Sequence, residues 1–444
     1  MLMMRSRVNE STSDDLEHVK KDLFRRLQTA VPSQEHVLAH WKDLDEVCQA
    51  RLASQIDDVD FDLLLTEESP PKSYPNSNDF LQPPPVITLE EQSSGREAFL
   101  EGEHCLAEGR FGVMLRIEDA AEQIGQVPGE FSNNVPGESQ RSIQRLIEQI
   151  LALGHQYGVR IPLYLMTSDF TYEATVRCLR EHQAFGLNPD DLRVFCQGAL
   201  PAICATTRRL LLSGPGELAR CPDGPGGFLD AARKAGCFED MARRGIDVLL
   251  YGQTGNPLLR IADAAMVGHQ VLANADVTTQ VVRRLNPTEN LGVFASQGAR
   301  VWSFEHDELP RQVATTTDDD GAPLFWAGNT GTHLFRLSFL RRVAARPNAL
   351  PARARRRKVA HVDPQGRILQ PDRPNAIRFE KSIADLMHHT NRSVLVESAR
   401  GATLTSLNSP DAIAIESVTT TLGASIAWQT DRLWRRTGRH AEPG

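Results

Sequence analysis

Residues 111–125, FGVMLRIEDAAEQIG, begin with the apolar run of a buried strand. In a nucleotide-binding α/β domain, glycines normally follow the first strand, and their backbone amides hold a phosphate. Here the strand runs into three carboxylates, Glu118, Asp119 and Glu122. The pattern therefore predicts an α/β domain whose phosphate site departs from the usual chemistry.

The chain after residue 109 alternates apolar strands with helical patterns. The predicted strands are IPLYLM (161–166), LRVFCQG (192–198), IDVLLYG (246–252) and LGVFA (291–295). Such alternation favours a mostly parallel sheet with helices on both faces. Ligands of these sheets bind at the carboxyl ends of the strands, so we expect the functional residues there.

Composition restricts the class of protein. A chain of 444 residues predicts one large domain with smaller attachments. A net charge of −8 argues against binding nucleic acid or an acidic membrane surface. The sequence shows neither a membrane span nor a signal peptide, and its seven cysteines lack zinc or disulfide spacing. We therefore expect a cytoplasmic protein.

Four regions are predicted from composition and periodicity. Residues 1–66 form a helical N-terminal appendage, with one helix in DDLEHVKKDLFRRL (14–27) and a second through SQEHVLAHWKDLDEVCQARL (33–52). Residues 67–94 are a Pro-rich linker and 95–350 the α/β domain. Residues 351–444 form a small C-terminal region.

Several short motifs follow one another in a fixed order. They are SQEHVLAHWKDL, YLMTSDFTYEAT, CQGALPA, PDGPGG, RRLNPTENLGV, FWAGNTGTHLF, VDPQGRILQPDRPNAIRFEK and TSLNS. Over roughly residues 13–410 this series resembles the UDP-N-acetylhexosamine pyrophosphorylases of the UDP-sugar pyrophosphorylase family. The resemblance implies a Rossmann-like nucleotidyltransferase domain whose pocket is completed by the C-terminal region.

The resemblance also implies a reaction. Family members join UTP to an N-acetylhexosamine 1-phosphate and release diphosphate. The protein positions two anionic reactants and neutralises the charge that develops. In the family a glycine loop, a following lysine and a carboxylate-held Mg²⁺ do this.

The first two of these parts are missing. The family loop, L-A-G-G-x-G-T-R-L-G, aligns with RIEDAAEQIG (116–125), in which only the last glycine remains. No lysine occurs between Lys72 and Lys234. Arg110 and Arg116 precede the loop and are interpreted as lying on its wrong side.

The metal carboxylate is missing as well. Gly255 stands where the family has its metal-binding aspartate, although Asn256 is retained. Asp263 is interpreted as a structural residue in the following turn. Mg²⁺, the family cofactor, therefore has little reason to bind here, and no metal ligands are assigned.

Residues on the uridine and sugar sides are retained. The resemblance places Gln197 and Gly198 at the uracil, the loop with Asp223 and Gly224 beside it, and Gly292, Glu305 and Asn329 at the sugar. Arg378 takes the place of a phosphate-binding lysine and is the one candidate for a catalytic role.

Two further groups of charged residues carry less weight. RARRRK (353–358) is interpreted as a basic surface loop, and His361, His388 and His389 as isolated from acidic partners.

Two functions remain open. The first is a UDP-N-acetylhexosamine pyrophosphorylase-like nucleotidyltransferase with weak or lost catalysis. The alternative is a non-catalytic UDP-sugar-binding or regulatory protein. The expected ligand is a nucleotide-sugar or sugar phosphate, and an intact paralogue is a candidate partner.

Overall fold

A computed structural model describes residues 13–66, 81–117, 137–305, 308, 314–363 and 365–403. Glu118, Asp119 and Glu122, and with them the charge predicted for the phosphate loop, lie outside the described residues. The final motif TSLNS also lies outside them.

The secondary structure of the described ranges is as follows. The α-helices are α1 (Ser13–Thr29), α2 (Glu46–Asp57), α3 (Leu89–Ser94), α4 (Arg96–Ala107), α5 (Gly137–Tyr157), α6 (Tyr172–Glu181), α7 (Phe228–Lys234), α8 (Cys237–Arg243), α9 (Ala264–Leu272) and α10 (Leu337–Ala344). The strands are β1 (Phe111–Arg116), β2 (Leu163–Thr167), β3 (Leu192–Cys196), β4 (Ala199–Pro201), β5 (Ile203–Cys204), β6 (Leu212–Gly214), β7 (Glu217–Leu218), β8 (Arg220–Pro222), β9 (Val248–Gln253), β10 (Val277–Arg283), β11 (Val293–Gln297), β12 (Arg300–Phe304), β13 (Ala327–Arg336), β14 (Ala352–Arg357), β15 (His361–Val362), β16 (Ile368–Leu369), β17 (Ala376–Lys381) and β18 (Ser393–Glu397). Short 3₁₀ turns span Glu35–Leu38, Trp41–Asp43, Leu63–Leu65, Gln183–Gly186, Pro189–Asp191, Pro225–Gly227, Ile383–His389 and Arg400–Ala402.

Four neighbouring strands of the central sheet run parallel, in the order β3-β2-β1-β9. Val113 in β1 aligns with Leu163 of β2 and with Leu250 of β9. The predicted strands at 161–166 and 246–252 therefore lie in one sheet, as expected. The fold class, α/β with a mostly parallel sheet, is confirmed.

The other half of the central sheet is mixed. Strand β13 runs antiparallel to β9, β10 and β11, and β11 pairs with β12. Strand β18 pairs parallel with β10, so a strand from beyond residue 350 joins the central sheet. The domain boundaries given above remain a prediction.

Helices cover both faces of the sheet because alternate strand residues point to opposite sides. Met114 and Tyr251 belong to an apolar core with residues of α7, α8 and α10. Val113 and Leu250 belong to a second core with residues of α4, α5 and α9. We call these the α7 face and the α5 face. Among the described residues, no helix is long and apolar enough to cross a membrane.

Helices α4 and α9 touch through their backbones. A β-carbon on Gly102 would lie 1.7 Å from the Ala264 carbonyl oxygen. A β-carbon on Gly268 would lie 1.6 Å from the Ala98 carbonyl oxygen. Only glycine fits at these two positions.

The N-terminal region is helical, as predicted, but residues 33–52 do not form one helix. Two 3₁₀ turns precede α2, which starts anew because the Asp45 carboxylate accepts a hydrogen bond from the Cys48 amide at 2.7 Å. Leu27 of α1 and Leu52 of α2 share one apolar core with Ile377 of β17. The N-terminal helices therefore pack on the small sheet β14-β17-β5.

Candidate functional site

The nucleotide side of the site forms where β3 ends. The Gln197 backbone amide donates to the Thr167 carbonyl at 2.8 Å, which keeps the ends of β2 and β3 together. The Asp223 amide donates to the Gly198 carbonyl at 2.9 Å. Both Gln197 and Asp223 are buried. The structure therefore brings together the residues predicted for the uracil side.

The Asp223 loop encloses the end of β17. The Lys381 amide donates to the Asp223 carbonyl at 2.7 Å, and Lys381 Nζ lies 3.6 Å from Asp223 Oδ2. Gly224 has φ +85°, and a β-carbon there would lie 2.7 Å from the Lys381 carbonyl oxygen. Burial raises the pKa of the Asp223 carboxyl to about 6, against the opposing effect of Lys381.

The sugar-side residues also meet. A β-carbon on Gly292 would lie 3.5 Å from Asn329 Cβ and 4.0 Å from Glu305 Oε2. The Asn329 amide donates to the Gly292 carbonyl at 2.8 Å. Gly292, Glu305 and Asn329 therefore lie next to one another.

Two residues that the sequence analysis missed join the two sides. The Lys381 ammonium donates to Asp230 at 2.7 Å and lies near Asp223, while the Ser382 hydroxyl donates to Glu305 Oε1 at 2.9 Å. Lys381 is the last residue of the motif that ends in NAIRFEK, and Ser382 directly follows it. Their nearness to this motif was the only sequence signal for a role in the site, because their bonding partners are distant in sequence.

Arg378 is buried on β17, in register with Arg355 of β14. Its Nε lies 3.5 Å from Glu380 Oε1. Arg355 bonds to Glu308, whose amide donates to the Glu305 carbonyl at 3.0 Å. Arg378 thus lies on the strand next to Arg355, which pairs with Glu308 close to the sugar-side residue Glu305.

The interpretation of RARRRK as a solvated loop is wrong. Residues 352–357 form β14, and Arg353 is 4% exposed. Arg353 Nη1 donates to both oxygens of Glu308 at 2.6 and 2.7 Å, and Nη2 bonds to Asp385. The buried guanidinium is tolerated because these carboxylates compensate its charge.

The side of the loop on which Arg116 lies remains a prediction, because the loop is outside the described residues. Arg116 is two residues after Met114 and so points to the α7 face, where it is 6% exposed. It aligns with Gln253 of β9 and Met166 of β2 at the carboxyl ends of these strands. This edge of the sheet also carries Gln197.

The residues at the family's metal position do not fit a metal. Gly255 offers no side chain, and the side-chain amide nitrogen of Asn256 donates to the Thr403 carbonyl at 2.8 Å. The Asn256 side-chain oxygen accepts from the Leu258 amide at 3.0 Å. Asp263 caps α9, accepting from Ala265 and Met266, as expected for a structural residue. The Oδ1 atom of its carboxylate therefore serves as a helix cap.

One histidine does have an acidic neighbour, contrary to expectation. His388 Nδ1 lies 3.5 Å from Asp385 Oδ1. Burial lowers the pKa of His388 to about 3, so this contact involves a neutral imidazole at pH 7. Within the described ranges, no group of three or more His, Cys, Asp or Glu side chains could hold a metal ion.

The raised pKa of Asp223 gives a testable pH dependence. Because the folded-state pKa, about 6, exceeds the ordinary 3.8, stability is lost as the pH rises through this interval. Relative to Asp223→Asn, the wild-type free energy of unfolding should fall by about 2 kcal/mol between pH 4 and 7, since one pKa unit corresponds to about 1.4 kcal/mol. Urea unfolding at both pH values measures it. Parallel curves for the two proteins would contradict the assignment, and substitution of an exposed aspartate, Asp319→Asn, is the control.

The chain is similar in sequence to known proteins. The sequence pattern of the UTP–glucose-1-phosphate uridylyltransferase family matches residues 136–431. The UDP-N-acetylhexosamine pyrophosphorylase-like protein 1 of Xenopus tropicalis is 30% identical over 348 residues, covering 77% of this chain and 68% of its own. The human protein of that name is 27% identical over 402 residues, which cover 86% of this chain and 79% of the human protein.

A solved structure shows the same fold. The uridine diphosphate N-acetylglucosamine pyrophosphorylase of Trypanosoma brucei superposes with a TM-score of 0.70 over 93% of this chain and 85% of its own, at 18% identity. The chain belongs to the UTP–glucose-1-phosphate uridylyltransferase family. The nucleotidyltransferase-like fold predicted from the motifs is confirmed.

Proposed function

We propose that this protein binds a UDP-N-acetylhexosamine in the site formed by Gln197, Asp223, Glu305 and Asn329, and that uridylyl transfer is weak or lost. The T. brucei relative is named for the corresponding UDP-sugar. The proposal assigns the nucleotide to the Gln197–Asp223 side and the sugar to the Glu305–Asn329 side.

The observation that carries the proposal is a contrast between two parts of the site. The uridine- and sugar-side residues are close together and hydrogen-bonded. The metal position instead has Gly255, and both ends of the neighbouring Asn256 side chain bond to backbone groups, those of Thr403 and Leu258. A ligand that needs Mg²⁺ for its phosphates should therefore bind less well than one that does not.

Charge neutralisation is the weak point for catalysis. Removing one charge-stabilising donor costs an enzyme about a hundred- to a thousandfold in rate. Here the family's glycine loop, lysine and metal aspartate are all replaced. Such losses are not additive, but all act in the same direction.

A working uridylyltransferase is the second candidate. The position of Arg116 favours it, because a buried guanidinium lies at the carboxyl ends of the central strands. Arg378 would be the second cation and is our candidate catalytic residue. An intact paralogue as a partner remains a proposal under either function.

Calorimetry separates the two candidates. UDP-N-acetylglucosamine should bind with a dissociation constant of about 0.1–1 mM, a binding free energy of about 4 to 5.5 kcal/mol. UTP should bind no better with Mg²⁺ than without it. Gln197→Ala and Asn329→Ala should abolish binding, whereas the exposed controls Gln365→Ala and Asn391→Ala should not change it.

A diphosphate-release assay completes the test. UTP and N-acetylglucosamine 1-phosphate should release no diphosphate above background. Steady release by the purified protein, abolished by Arg378→Ala, would show that transfer survives and would favour the second candidate. Failure of UDP-N-acetylglucosamine to bind at all would refute the proposed ligand.

A further inference from the structure

We infer that Ser382 is a positioning residue that determines how well the sugar part of the ligand is recognised, by holding Glu305. The inference rests on the proposed function, because it assumes that the ligand is a UDP-sugar. Ser382 does not have to touch the sugar. Its effect is exerted through the Glu305 carboxylate.

The Ser382 hydroxyl has a defined direction. Its oxygen accepts a hydrogen bond from the Ala384 amide at 3.2 Å, at the start of the 3₁₀ turn Ile383–His389. Its proton is donated to Glu305 Oε1 at 2.9 Å. A hydroxyl has one proton to donate, so the Glu305 bond uses the whole donor capacity of this side chain. Ser382 is also 8% exposed, which leaves little room for other arrangements.

This bond orients the second oxygen of Glu305. With Oε1 held by Ser382, Oε2 lies on the side of Gly292, about which Asn329 also packs. A carboxylate oxygen accepts hydrogen bonds from hydroxyl or amide donors, and a hexosamine presents both. The orientation therefore prepares Glu305 Oε2 for a sugar donor.

The nearby arginines do not replace the hydrogen bond from Ser382. The adjacent carboxylate, Glu308, receives hydrogen bonds from Arg353 and Arg355. Among the described residues, the Ser382 hydroxyl is the side chain that donates a hydrogen bond to a Glu305 carboxylate oxygen. Burial also raises the pKa of Glu305, an effect that the Ser382 bond opposes. Loss of the hydroxyl should thus disturb Glu305 both in direction and in charge.

The neighbouring residue serves the other side of the site. Lys381 Nζ donates to Asp230 at 2.7 Å and lies 3.6 Å from Asp223. Two consecutive residues therefore act on the nucleotide loop and on the sugar carboxylate separately. Substitutions at the two positions should have different effects on UDP and on a UDP-sugar.

The experiment compares UDP with UDP-N-acetylglucosamine by calorimetry on the full chain. Ser382→Ala should weaken the UDP-sugar about tenfold, as expected for a hydrogen bond to a charged group. It should leave UDP affinity within about twofold, since the nucleotide loop keeps its contacts. Lys381→Met should weaken both ligands by similar factors. Glu305→Gln leaves the Ser382 turn intact. Like Ser382→Ala, it should lower the ratio of UDP-sugar affinity to UDP affinity.

The outcomes separate the inference from the proposed function. If wild-type protein binds the UDP-sugar and Ser382→Ala keeps its ratio of UDP-sugar to UDP affinity, Ser382 is not a positioning residue and the inference is wrong. Equal weakening of both ligands by Ser382→Ala would indicate a merely structural role and would also overturn it. If wild-type protein binds UDP but gains nothing from the sugar, the sugar side of the proposed function fails first.

Discussion

Replacing Gly227 with alanine should weaken UDP binding by more than tenfold. A β-carbon at this position would lie 1.8 Å from Asp223 Oδ1 and 2.4 Å from its Cγ. The Asp223 carboxyl has little room to move aside. Its side chain is buried, and the Lys381 backbone amide holds the Asp223 carbonyl oxygen at 2.7 Å. The added methyl group must therefore displace the loop that forms the nucleotide side.

Calorimetry with UDP measures this effect without depending on the sugar. The matched control is Gly401→Ala, because a β-carbon there meets no atom within 4 Å. Circular dichroism should show that Gly227→Ala retains the overall fold, since the change is confined to one loop. UDP affinity within twofold of wild type would mean that the Asp223 loop does not contribute to nucleotide binding.

Replacing Gly268 with alanine should have the largest effect on stability. Its β-carbon would lie 1.6 Å from the Ala98 carbonyl oxygen and 2.5 Å from the carbonyl carbon. These are backbone atoms of α4 and cannot rotate away, so the two helices must separate. Overpacking a core usually costs about 1–3 kcal/mol. We expect at least about 3 kcal/mol here, well above the gain of about 1 kcal/mol from replacing a helical glycine with alanine.

Urea unfolding monitored by circular dichroism measures the loss, again with Gly401→Ala as the control. The midpoint for Gly268→Ala should move to clearly lower urea concentration, with an unchanged dependence on urea if the same surface becomes exposed. A loss of less than about 1 kcal/mol would mean that α4 and α9 can adjust their separation at little cost.

The strands could be predicted because their signals are local. Apolar runs marked β1, β2, β3 and β9, and the alternation with helices was enough to indicate a parallel arrangement. The role of Asp263 was also predictable, since a helix cap needs only the next few amides. Features that depend only on residues within one helix or strand can therefore be predicted from the sequence.

The missed features depend on distant partners. Arg353 belonged to a run of charges that reads as a surface loop, but Glu308 and Asp385 compensate it in the folded protein. Ser382 has no sequence signal that connects it to Glu305. The face of the sheet to which Arg116 points also depends on the pairing of β1 with its neighbours. Such pairings cannot be read from spacing within one element.

The core that joins the N-terminal helices to the small sheet has a consequence for synthesis of the chain. Its members extend from Leu23 to Phe379, so the core of α1 and α2 is completed only by β17, which lies far downstream of both helices. Contacts of such high sequence separation slow folding, because a long loop must close before they form. At about 5–20 residues per second, a ribosome needs tens of seconds to reach β17. During that interval the apolar sides of α1 and α2 lack their native covering, which makes the nascent chain a candidate client for chaperones.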